Sequence, residues 1–380
     1  MGSVGVGCGS PDEEQQTEGS GPLPPPAVCV TGSTGYVGSW LVRTLLRRGY
    51  RVHATARDTG KALQVLAVVE EGRDRLRVFR ADMGEEGSFD AAVTGCVALF
   101  HVAASMDLHV SPAHQDNLEE HVRSSMLEPA TRGTINVLRS CVRAGTVRRV
   151  VFTSSVSTLT AVDAVGRRKA VLDESCLRAL DDVWRTKPVG WVYILSKRLT
   201  EEAAFRFARE NGVHLVSLVL PTVAGPFLTT SVPTSIQLLL SPITGDPKLY
   251  SVLASVHARF GCVPLAHVQD VCDAHVLLME APRAEGRYLC AAGGYAAAQL
   301  ARLLASRYLP AGDRHVVSAM ATSGLFRLSK DFDDVSCSPP VVSSRRLLDL
   351  GFRFRHDVED VVKDSVAQCL AHGFLEHPET

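Results

Sequence analysis

Short apolar runs alternate with helical patterns from Ala27 to Pro221, and few folds are compatible with such an alternation. The runs are rich in Val, Leu and Phe and do not alternate strictly with polar residues, as expected for strands buried on both faces. Six strands are predicted, at Ala27–Val30, Arg51–Ala56, Leu76–Ala81, Ala98–Ala103, Arg149–Ser155 and His214–Pro221. The clearest helices between them are predicted at Ser39–Arg48, Glu128–Ala144 and Tyr193–Glu210. This repetition predicts an α/β fold, a doubly wound parallel Rossmann sheet with right-handed crossovers.

The rhythm breaks down after Pro221. Residues 224–264 are rich in Pro, Thr, Ser and Gly without a regular period, and helices are predicted only later, at Asp270–Glu280, Ala297–Arg307 and Val358–His372. Such a region is suited to cover the carboxyl ends of the strands, where open α/β sheets bind ligands. We therefore expect a Rossmann domain with the catalytic residues over 27–223, a smaller irregular substrate-binding region over 224–375 that includes elements returning to the sheet, and short tails over 1–26 and 376–380.

The charge of the chain is nearly balanced but unevenly distributed. The 380 residues include 40 Lys and Arg against 41 Asp and Glu, a formal net charge of −1. Residues 1–26 hold four of the acids and none of the basic residues, so the rest of the chain has an excess of three positive charges. The tail is also rich in Gly and Pro and is expected to be disordered. The small excess argues against nucleic acid as a partner, because phosphate neutralisation needs clustered Lys and Arg.

The cysteines and the apolar segments indicate the compartment. The ten Cys are scattered, with no Cys-x-x-Cys pair and no His spacing typical of a metal site, so reduced thiols and no metal are expected. No window approaches the roughly 18 uninterrupted apolar residues of a membrane span, and residues 1–26 lack the pattern of a secretory signal. We expect a cytoplasmic protein, either a monomer or a weak dimer.

A glycine-rich turn follows the first predicted strand directly. Its sequence runs from Thr31 to Gly38 with glycines at positions 32, 35 and 38, and it includes Thr34 and Tyr36. The first glycine permits a tight turn, the second lets the backbone approach a pyrophosphate, and the third lets helix and strand pack closely. The following helix presents amide N–H groups and its positive dipole end to phosphate. A turn without a ligand is the alternative, and the context of strand and helix favours nucleotide binding.

The end of the second strand bears on the choice of nucleotide. Arg57 stands where a site for NAD would place an acid, and an Arg there suits the 2′-phosphate of NADP(H), with Lys61 as a second cation. The alternative is that Arg57 is a solvated loop residue and that Asp58 binds the ribose. Asp82 and Met83, just after the third strand, are candidate neighbours of the adenine ring, and a helix cap is the equal alternative for them.

Tyr193 and Lys197 open a long predicted helix at positions i and i+4, on one face. A Lys ammonium near a phenol lowers the pKa of the Tyr from about 10 and makes it a usable proton donor near neutral pH. The fifth strand stops at Ser154 and Ser155, at the edge of the sheet where a substrate carbonyl would lie. Ser155 can donate a hydrogen bond to the oxygen that Tyr193 protonates, although a helix-surface pair and a strand-end turn are the simpler interpretations.

Together these features resemble the extended short-chain dehydrogenases/reductases, and further motifs are similar to the plant flavonoid reductases, the group of dihydroflavonol 4-reductase and anthocyanidin reductase. These motifs are Phe100–Ala103, Asp173–Cys176, Ser241–Gly245, His267–Cys272 and Glu285–Tyr288, and the resemblance covers about residues 27–375. It implies Ser155, Tyr193 and Lys197 as catalytic residues and NADPH as the cofactor. The cofactor-binding positions that it implies, with those inferred above, are Gly32, Thr34, Gly35, Tyr36, Gly38, Arg57, Lys61, Asp82, Met83, Val102, Ala103, Ala104, Tyr193, Lys197, Pro221, Thr222 and Val223.

The resemblance also implies a small-molecule flavonoid substrate in contact with Ser155, Thr160 and Tyr193. Dihydroflavonol reductases usually have Asn, sometimes Asp, five residues past the catalytic Ser, and this chain has Thr160 there. Thr160, with the sequence from Leu265 to Val268, is closer to anthocyanidin reductase. Reduction of an anthocyanidin to a flavan-3-ol is therefore favoured over reduction of the C4 ketone of a dihydroflavonol or flavanone. A remote alternative is a binding module that keeps NADP(H) without catalysis.

Overall fold

The computed structural model describes residues 25–104, 117–163, 165–308 and 340–376. The predicted tails over 1–26 and 376–380 lie outside the described residues except for Pro25, Pro26 and Glu376. The carbonyl oxygen of Pro25 accepts a hydrogen bond from the Arg51 side chain at 2.7 Å, and that of Pro26 accepts one from the Arg51 amide at 3.1 Å. The chain is thus attached to the second strand before the first strand begins.

Seven of the described strands form one parallel sheet in the order β10-β7-β5-β4-β1-β2-β3. These strands are β1 (Ala27–Thr31), β2 (Arg51–Ala56), β3 (Leu76–Arg80), β4 (Cys96–His101), β5 (Arg149–Ser155), β7 (Leu215–Leu220) and β10 (Gly286–Leu289). The six predicted strands and the doubly wound topology are confirmed. The order reverses between β1 and β4, and such a switch point opens a crevice at the carboxyl ends of the strands.

Helices cover both faces of the sheet. They include α1 (Tyr36–Arg47), α2 (Thr59–Leu66), α3 (Asp90–Val93), α4 (Leu118–Val122), α5 (Glu128–Ala144), α6 (Leu180–Thr186) and α7 (Trp191–Glu210). Successive residues of β1 point to opposite faces: Val28 and Val30 pack with α1, whereas Ala27 and Cys29 pack with α5 and α7. All four are buried, which explains why the strand sequences are apolar throughout.

The strand β10 is absent from the sequence prediction. It has four residues, begins at Gly286 and includes Arg287, so it lacks the apolar run by which the other strands were recognised. It pairs in parallel with β7, with Arg287 opposite Ser217. The preceding helix, α10 (Val268–Glu280), packs on α1. The chain therefore returns to the sheet late, at β10.

The expectation that residues 224–264 are irregular is wrong. They contain two helices, α8 (Thr234–Thr244) and α9 (Pro247–Phe260), and they overlap a strand at each end, β8 (Thr222–Ala224) and β9 (Val263–His267). The helices end at Gly245 and Gly261, which have positive φ, and the Asp246 carboxylate caps α9. Pro242 lies inside α8 and conceals the helix in the sequence, because interior proline normally interrupts one.

The remaining elements complete this second layer. The strand β11 (Gly293–Tyr295) joins β9 and β8 in a small sheet, and β12 (Val341–Val342) pairs with β6 (Val171–Leu172). Three helices complete the described chain: α11 (Ala297–Tyr308), α12 (Arg345–Asp349) and α13 (Val358–Ala371). A core of its own, with Ile236 and Leu240 of α8 among its members, joins α8, α9, α11 and α13 to β8 and β9.

Candidate active site

Two glycines in the turn after β1 cannot be replaced without moving the backbone. Gly32 has a φ of +70°, and a β-carbon there would lie 2.9 Å from the Cα and N atoms of Ala103, at the end of β4. A β-carbon on Gly38 would overlap the carbonyl oxygen of Gly32. The first glycine therefore permits both the turn and close contact with the residues after β4, and the third permits close contact between helix and turn.

The N-terminus of α1 is open toward this turn. Its cap residue is Gly35, no side chain caps the helix, and its first turn contains no acidic residue. Unpaired amide groups at a helix N-terminus bind anionic oxygen, so the residues present fit a dinucleotide pyrophosphate. The Tyr36 side chain points elsewhere, because its hydroxyl is buried and has no hydrogen-bond partner among the described residues. Only the backbone of Tyr36 is available to a phosphate.

A buried hydrogen-bond network lies behind the glycine turn of residues 32–38, which we call the cofactor cradle, and the sequence did not predict this network. The Thr31 hydroxyl accepts hydrogen bonds from the amides of Val102 and Ala103 at 3.1 and 3.0 Å, so it must donate to His101 Nδ1 at 3.0 Å. Nε2 of His101 then carries the proton and faces the Thr134 hydroxyl at 3.4 Å. Burial lowers the pKa of His101 to about 3, so the ring is neutral. The network holds the end of β4 against the glycine turn.

The cations expected to read the 2′-phosphate lie beyond β2. Arg57 and Lys61 are exposed, and no hydrogen bond or ion pair joins either side chain to another described residue. The Asp58 carboxylate accepts a hydrogen bond from the Lys61 amide at 3.0 Å and caps α2. Because the carboxylate already serves the helix, the geometry favours Arg57 over Asp58 as the residue that meets the adenosine ribose.

Asp82 and Met83 lie in a turn after β3. The Asp82 carboxylate accepts a hydrogen bond from the Gly84 amide at 2.8 Å, several residues before α3 begins, so the interpretation as a helix cap is wrong. The Met83 side chain packs against Gly133, where a β-carbon would lie 2.9 Å from that of Met83. The turn is thus docked onto α5 at the same edge of the sheet as the ends of β2 and β3.

The predicted catalytic residues lie at the ends of β5 and on α7. Ser155 is the last residue of β5 and stands opposite Leu220, the last residue of β7. Its hydroxyl oxygen accepts a hydrogen bond from the Ser157 amide at 3.2 Å and leaves its proton free to donate. The Lys197 ammonium, 8% exposed, donates to the Thr153 carbonyl oxygen at 3.1 Å.

The pKa of Tyr193 differs from the value expected from the sequence. Burial raises the pKa of Tyr193, and the hydrogen bond from Ser155 lowers it, so the expected net lowering by Lys197 is wrong for this structure. Burial lowers the pKa of Lys197 itself to about 8. The apolar surroundings therefore keep Tyr193 protonated, in the state of a proton donor, and Ser155 contributes more to its acidity than Lys197 does.

The segment after Ser155 forms the next part of the site. The Thr160 amide donates to the Cys176 carbonyl oxygen at 2.8 Å, and its hydroxyl accepts from the Val162 amide at 3.2 Å, so Thr160 is held in its own turn. The hydroxyls of Ser154 and Ser157 are buried without a partner among the described residues. Ser157 was not singled out in the sequence, and only its spacing of two residues from Ser155 could have suggested it.

Pro221, Thr222 and Val223 are buried at the carboxyl end of β7, beside Ser155. The strands thus bring to one edge the glycine turn, Val102 to Ala104, Ser155 and this segment, while α7 supplies Tyr193 and Lys197. Arg57 and Asp82 lie farther along the same edge. The described residues contain no group of three His, Cys, Asp or Glu placed to bind a metal. In this part of the chain no helix is both long and apolar enough to cross a bilayer.

Comparison with known proteins agrees with this geometry. Residues 28–291 match the NAD dependent epimerase/dehydratase family. A putative anthocyanidin reductase of Ginkgo biloba is 37% identical over 351 residues, 92% of this chain and 95% of that protein. A dihydroflavonol 4-reductase of Zea mays is 37% identical over 360 residues, 94% of this chain and 92% of that protein. The crystal structure of alfalfa vestitone reductase, 28% identical, superposes with a TM-score of 0.70 over 92% of this chain and 99% of that one. The chain therefore belongs to the NAD dependent epimerase/dehydratase family, within the group of the anthocyanidin and dihydroflavonol reductases.

Proposed function

We propose that this protein is an NADPH-dependent flavonoid reductase of the anthocyanidin reductase type. The observation that carries the proposal is the position of Ser155, Tyr193 and Lys197 at the strand ends beside a glycine cradle with an uncapped helix. The identity of 37% to a putative anthocyanidin reductase over nearly the whole chain agrees with it. Each bound NADPH would supply one hydride to an electrophilic ring carbon of the flavonoid, and conversion of an anthocyanidin to a flavan-3-ol would use two NADPH in succession.

Each catalytic side chain has a distinct part in the proposed reaction. Tyr193 gives its proton to the oxygen on which negative charge develops, and burial keeps that proton in place until it is needed. Ser155 donates a hydrogen bond to the same oxygen. Lys197 binds the nicotinamide ribose and places a positive charge near Tyr193. Because Lys197 is buried and Ser155 and Tyr193 are half-buried, their electrostatic stabilisation of the oxyanion is the largest contribution to the rate.

The preference for NADPH over NADH rests on Arg57. A guanidinium forms charge-assisted hydrogen bonds with a 2′-phosphate, and Lys61 lies one turn into the following helix to add a second cation. The Asp58 carboxylate, which would repel that phosphate if it pointed into the site, accepts the Lys61 amide. Gly32, Gly35 and Gly38 hold the pyrophosphate, and Pro221, Thr222 and Val223 flank the nicotinamide.

The second candidate is reduction of the C4 ketone of a dihydroflavonol or flavanone. The identity of 37% to a dihydroflavonol 4-reductase supports it equally well on overall similarity. Thr160 favours the first candidate, because its hydroxyl is engaged in its own turn and presents no amide or carboxylate to a hydroxylated ring. In either case the region 224–375 covers the substrate.

The test is product analysis by mass spectrometry with cyanidin, dihydroquercetin and naringenin, each supplied with NADPH. We expect a flavan-3-ol from cyanidin and little product from the two ketones. Reduction of only a ketone would establish the second candidate. Tight NADPH binding with no turnover of any of the three would favour a non-catalytic binding module.

We also propose the cytosol as the compartment of this enzyme. All eight cysteines in the described ranges are free thiols in buried positions. Cys8 and Cys337 lie outside the described residues. Burial raises the pKa of several of these thiols, for example Cys96 and Cys141 to about 12, so they would remain protonated and unreactive. Buried thiols without disulfides suit a reducing compartment.

A further inference from the structure

Glu201 is a fully buried carboxylate on the same helix as the catalytic residues. It is 0% exposed and lies one turn beyond Lys197 and two turns beyond Tyr193, at the spacing that brings side chains to one face. A carboxylate is buried at considerable cost unless partners compensate its charge. The mechanism proposed above does not use Glu201, so its place in the interior needs another explanation.

Two neighbouring strands hold this carboxylate in place. Ser217 of β7 donates a hydrogen bond to one carboxylate oxygen at 2.5 Å, and Arg287 of β10 donates from Nε to the other at 2.9 Å. Ser217 and Arg287 are opposite each other in the sheet, so the register of β7 and β10 places both donors on one acceptor. The Arg287 guanidinium also lies 4.8 Å from the centre of the Phe205 ring, which fixes it from the far side.

Lys197 needs a negative charge nearby. Its ammonium is buried and donates to the neutral Thr153 carbonyl group, and none of the described carboxylates lies within salt-bridge distance of it. The other titratable groups that face this region supply no negative charge to the Lys197 ammonium. Tyr193 and the histidines His101 and His275 are neutral, and Arg287 is itself a cation. In a medium of low dielectric constant, a charge acts over more than contact distance, so Glu201 is the anion that can stabilise the ammonium.

We propose that Glu201 is a positioning residue that keeps Lys197 cationic in its buried site, while Ser217 and Arg287 offset the cost of burying the carboxylate. This inference rests on the proposed function, in which Lys197 must be charged to bind the ribose and assist Tyr193. It also explains why β10 carries Arg287, which stabilises the buried carboxylate. Consistent with this, Glu201 raises the pKa of Lys197 against the lowering by burial.

The test compares NADPH affinity at pH 6.5 and pH 8.5, measured through nicotinamide fluorescence, in the full-length protein. In Glu201→Gln the ammonium should lose its proton at lower pH. Affinity should therefore be close to wild type at pH 6.5 and about tenfold weaker than wild type at pH 8.5, the effect of a change of about one unit in the pKa of Lys197. The alkaline limb of the kcat profile should move to lower pH by the same amount. Glu201→Asp, which keeps the charge, should restore the wild-type ratio.

Arg287→Met is the matched control, because it breaks the same ion pair but leaves the Glu201 charge. It should lower the melting temperature without weakening NADPH binding selectively at pH 8.5. A loss at pH 8.5 equal to that of Glu201→Gln would show that the ion pair is merely structural and would overturn the proposal, as would Glu201→Gln with the wild-type ratio.

If Glu201→Gln does not fold, the double variant Glu201→Gln/Arg287→Met removes both buried charges together and is compared with Arg287→Met alone. A selective loss at pH 8.5 in the double variant supports the proposal, and identical pH dependence in the two contradicts it. Failure of the proposed function has a different signature, NADPH binding without turnover of any flavonoid, and the binding ratios would still decide the role of Glu201.

Discussion

The proposed cofactor cradle and the proposed catalytic pocket lie at the same edge of the sheet but are built in opposite ways. The cradle consists of backbone, and its shape requires residues without a β-carbon. A β-carbon on Gly38 would overlap the Gly32 carbonyl oxygen, and one on Gly32 would lie too close to Ala103. The pocket consists of buried ionisable side chains, Tyr193 and Lys197, whose pKa values burial has moved in opposite directions. The cradle should therefore fail when atoms are added, and the pocket when protons or charges are changed.

The largest effect is expected from adding one carbon to the cradle. Gly38→Ala should weaken NADPH binding by about 100-fold or more, because the turn must move away from its helix, and it should destabilise the fold by about 1–3 kcal/mol, as overpacking does. Gly35→Ala is the matched control. Its φ of −83° is permitted for alanine, and its β-carbon would lie 3.3 Å from the same Gly32 oxygen, so the loss should be smaller. Isothermal titration and thermal melting measure both quantities, and equal losses in the two variants would contradict a steric cause.

The pocket should respond to a change that removes a proton and leaves the shape intact. Tyr193→Phe should lower kcat by about 100-fold or more, the typical contribution of a general acid, while the Kd for NADPH stays within about twofold. Steady-state kinetics and fluorescence titration separate the two. Unchanged turnover would remove Tyr193 from the mechanism.

Replacing Arg57 tests the far end of the cradle, where a side-chain charge rather than the backbone is proposed to bind the cofactor. Arg57→Ala should weaken NADPH binding about 10- to 100-fold, the range for loss of a charged hydrogen bond of about 1.5–3 kcal/mol, and should leave NADH binding nearly unchanged. Arg209→Ala, at the exposed end of α7, controls for the loss of net positive charge. Similar losses for both cofactors would show that Arg57 does not read the 2′-phosphate.

The smallest effect concerns the buried histidines beneath the two regions. Burial lowers the pKa of His101 to about 3 and that of His275 to about 4 in the folded state, whereas an unfolded histidine titrates near 6.5. The unfolded chain therefore binds more protons between pH 6.5 and 4, and the free energy of unfolding should fall by about 1.4 kcal/mol per pH unit for each ring as the pH drops through that window. Urea unfolding measures this slope. His275→Gln should flatten it and exposed His214→Gln should not; an unchanged slope in His275→Gln would contradict the assignment.

Local patterns in the sequence were sufficient to predict much of the cofactor half. The strand of Ala27–Val30 is apolar because both its faces are covered, and the contact that requires Gly38 is with Gly32 in the same turn, so both features are visible in one short stretch. The helices α8 and α9 were missed because Pro242 and a mixed composition hide a period that tertiary packing around Ile236 and Leu240 sustains.

The electrostatics of the pocket depend on contacts between distant parts of the chain. Thr31 meets His101 across 70 positions, and Glu201 meets Arg287 across 86, and both contacts exist only because the strands pair in one register. The pKa of Tyr193 also depends on parts of the chain that are distant in sequence. The spacing of Tyr193 and Lys197 indicated a lowered value, but the depth of burial, which no local pattern encodes, raises it.

Transfer of deuterium from 4-deuterated NADPH to a flavonoid tests the central claim most directly. With cyanidin and the appropriately labelled epimer of the cofactor, the wild-type flavan-3-ol should carry two deuterium atoms bound to carbon, because its formation from an anthocyanidin takes two hydrides and one proton. Tyr193→Phe should give the same labelled product about 100-fold more slowly. A product without the label, or equal rates for the two proteins, would contradict a reductase in which the cradle positions the hydride and Tyr193 supplies the proton.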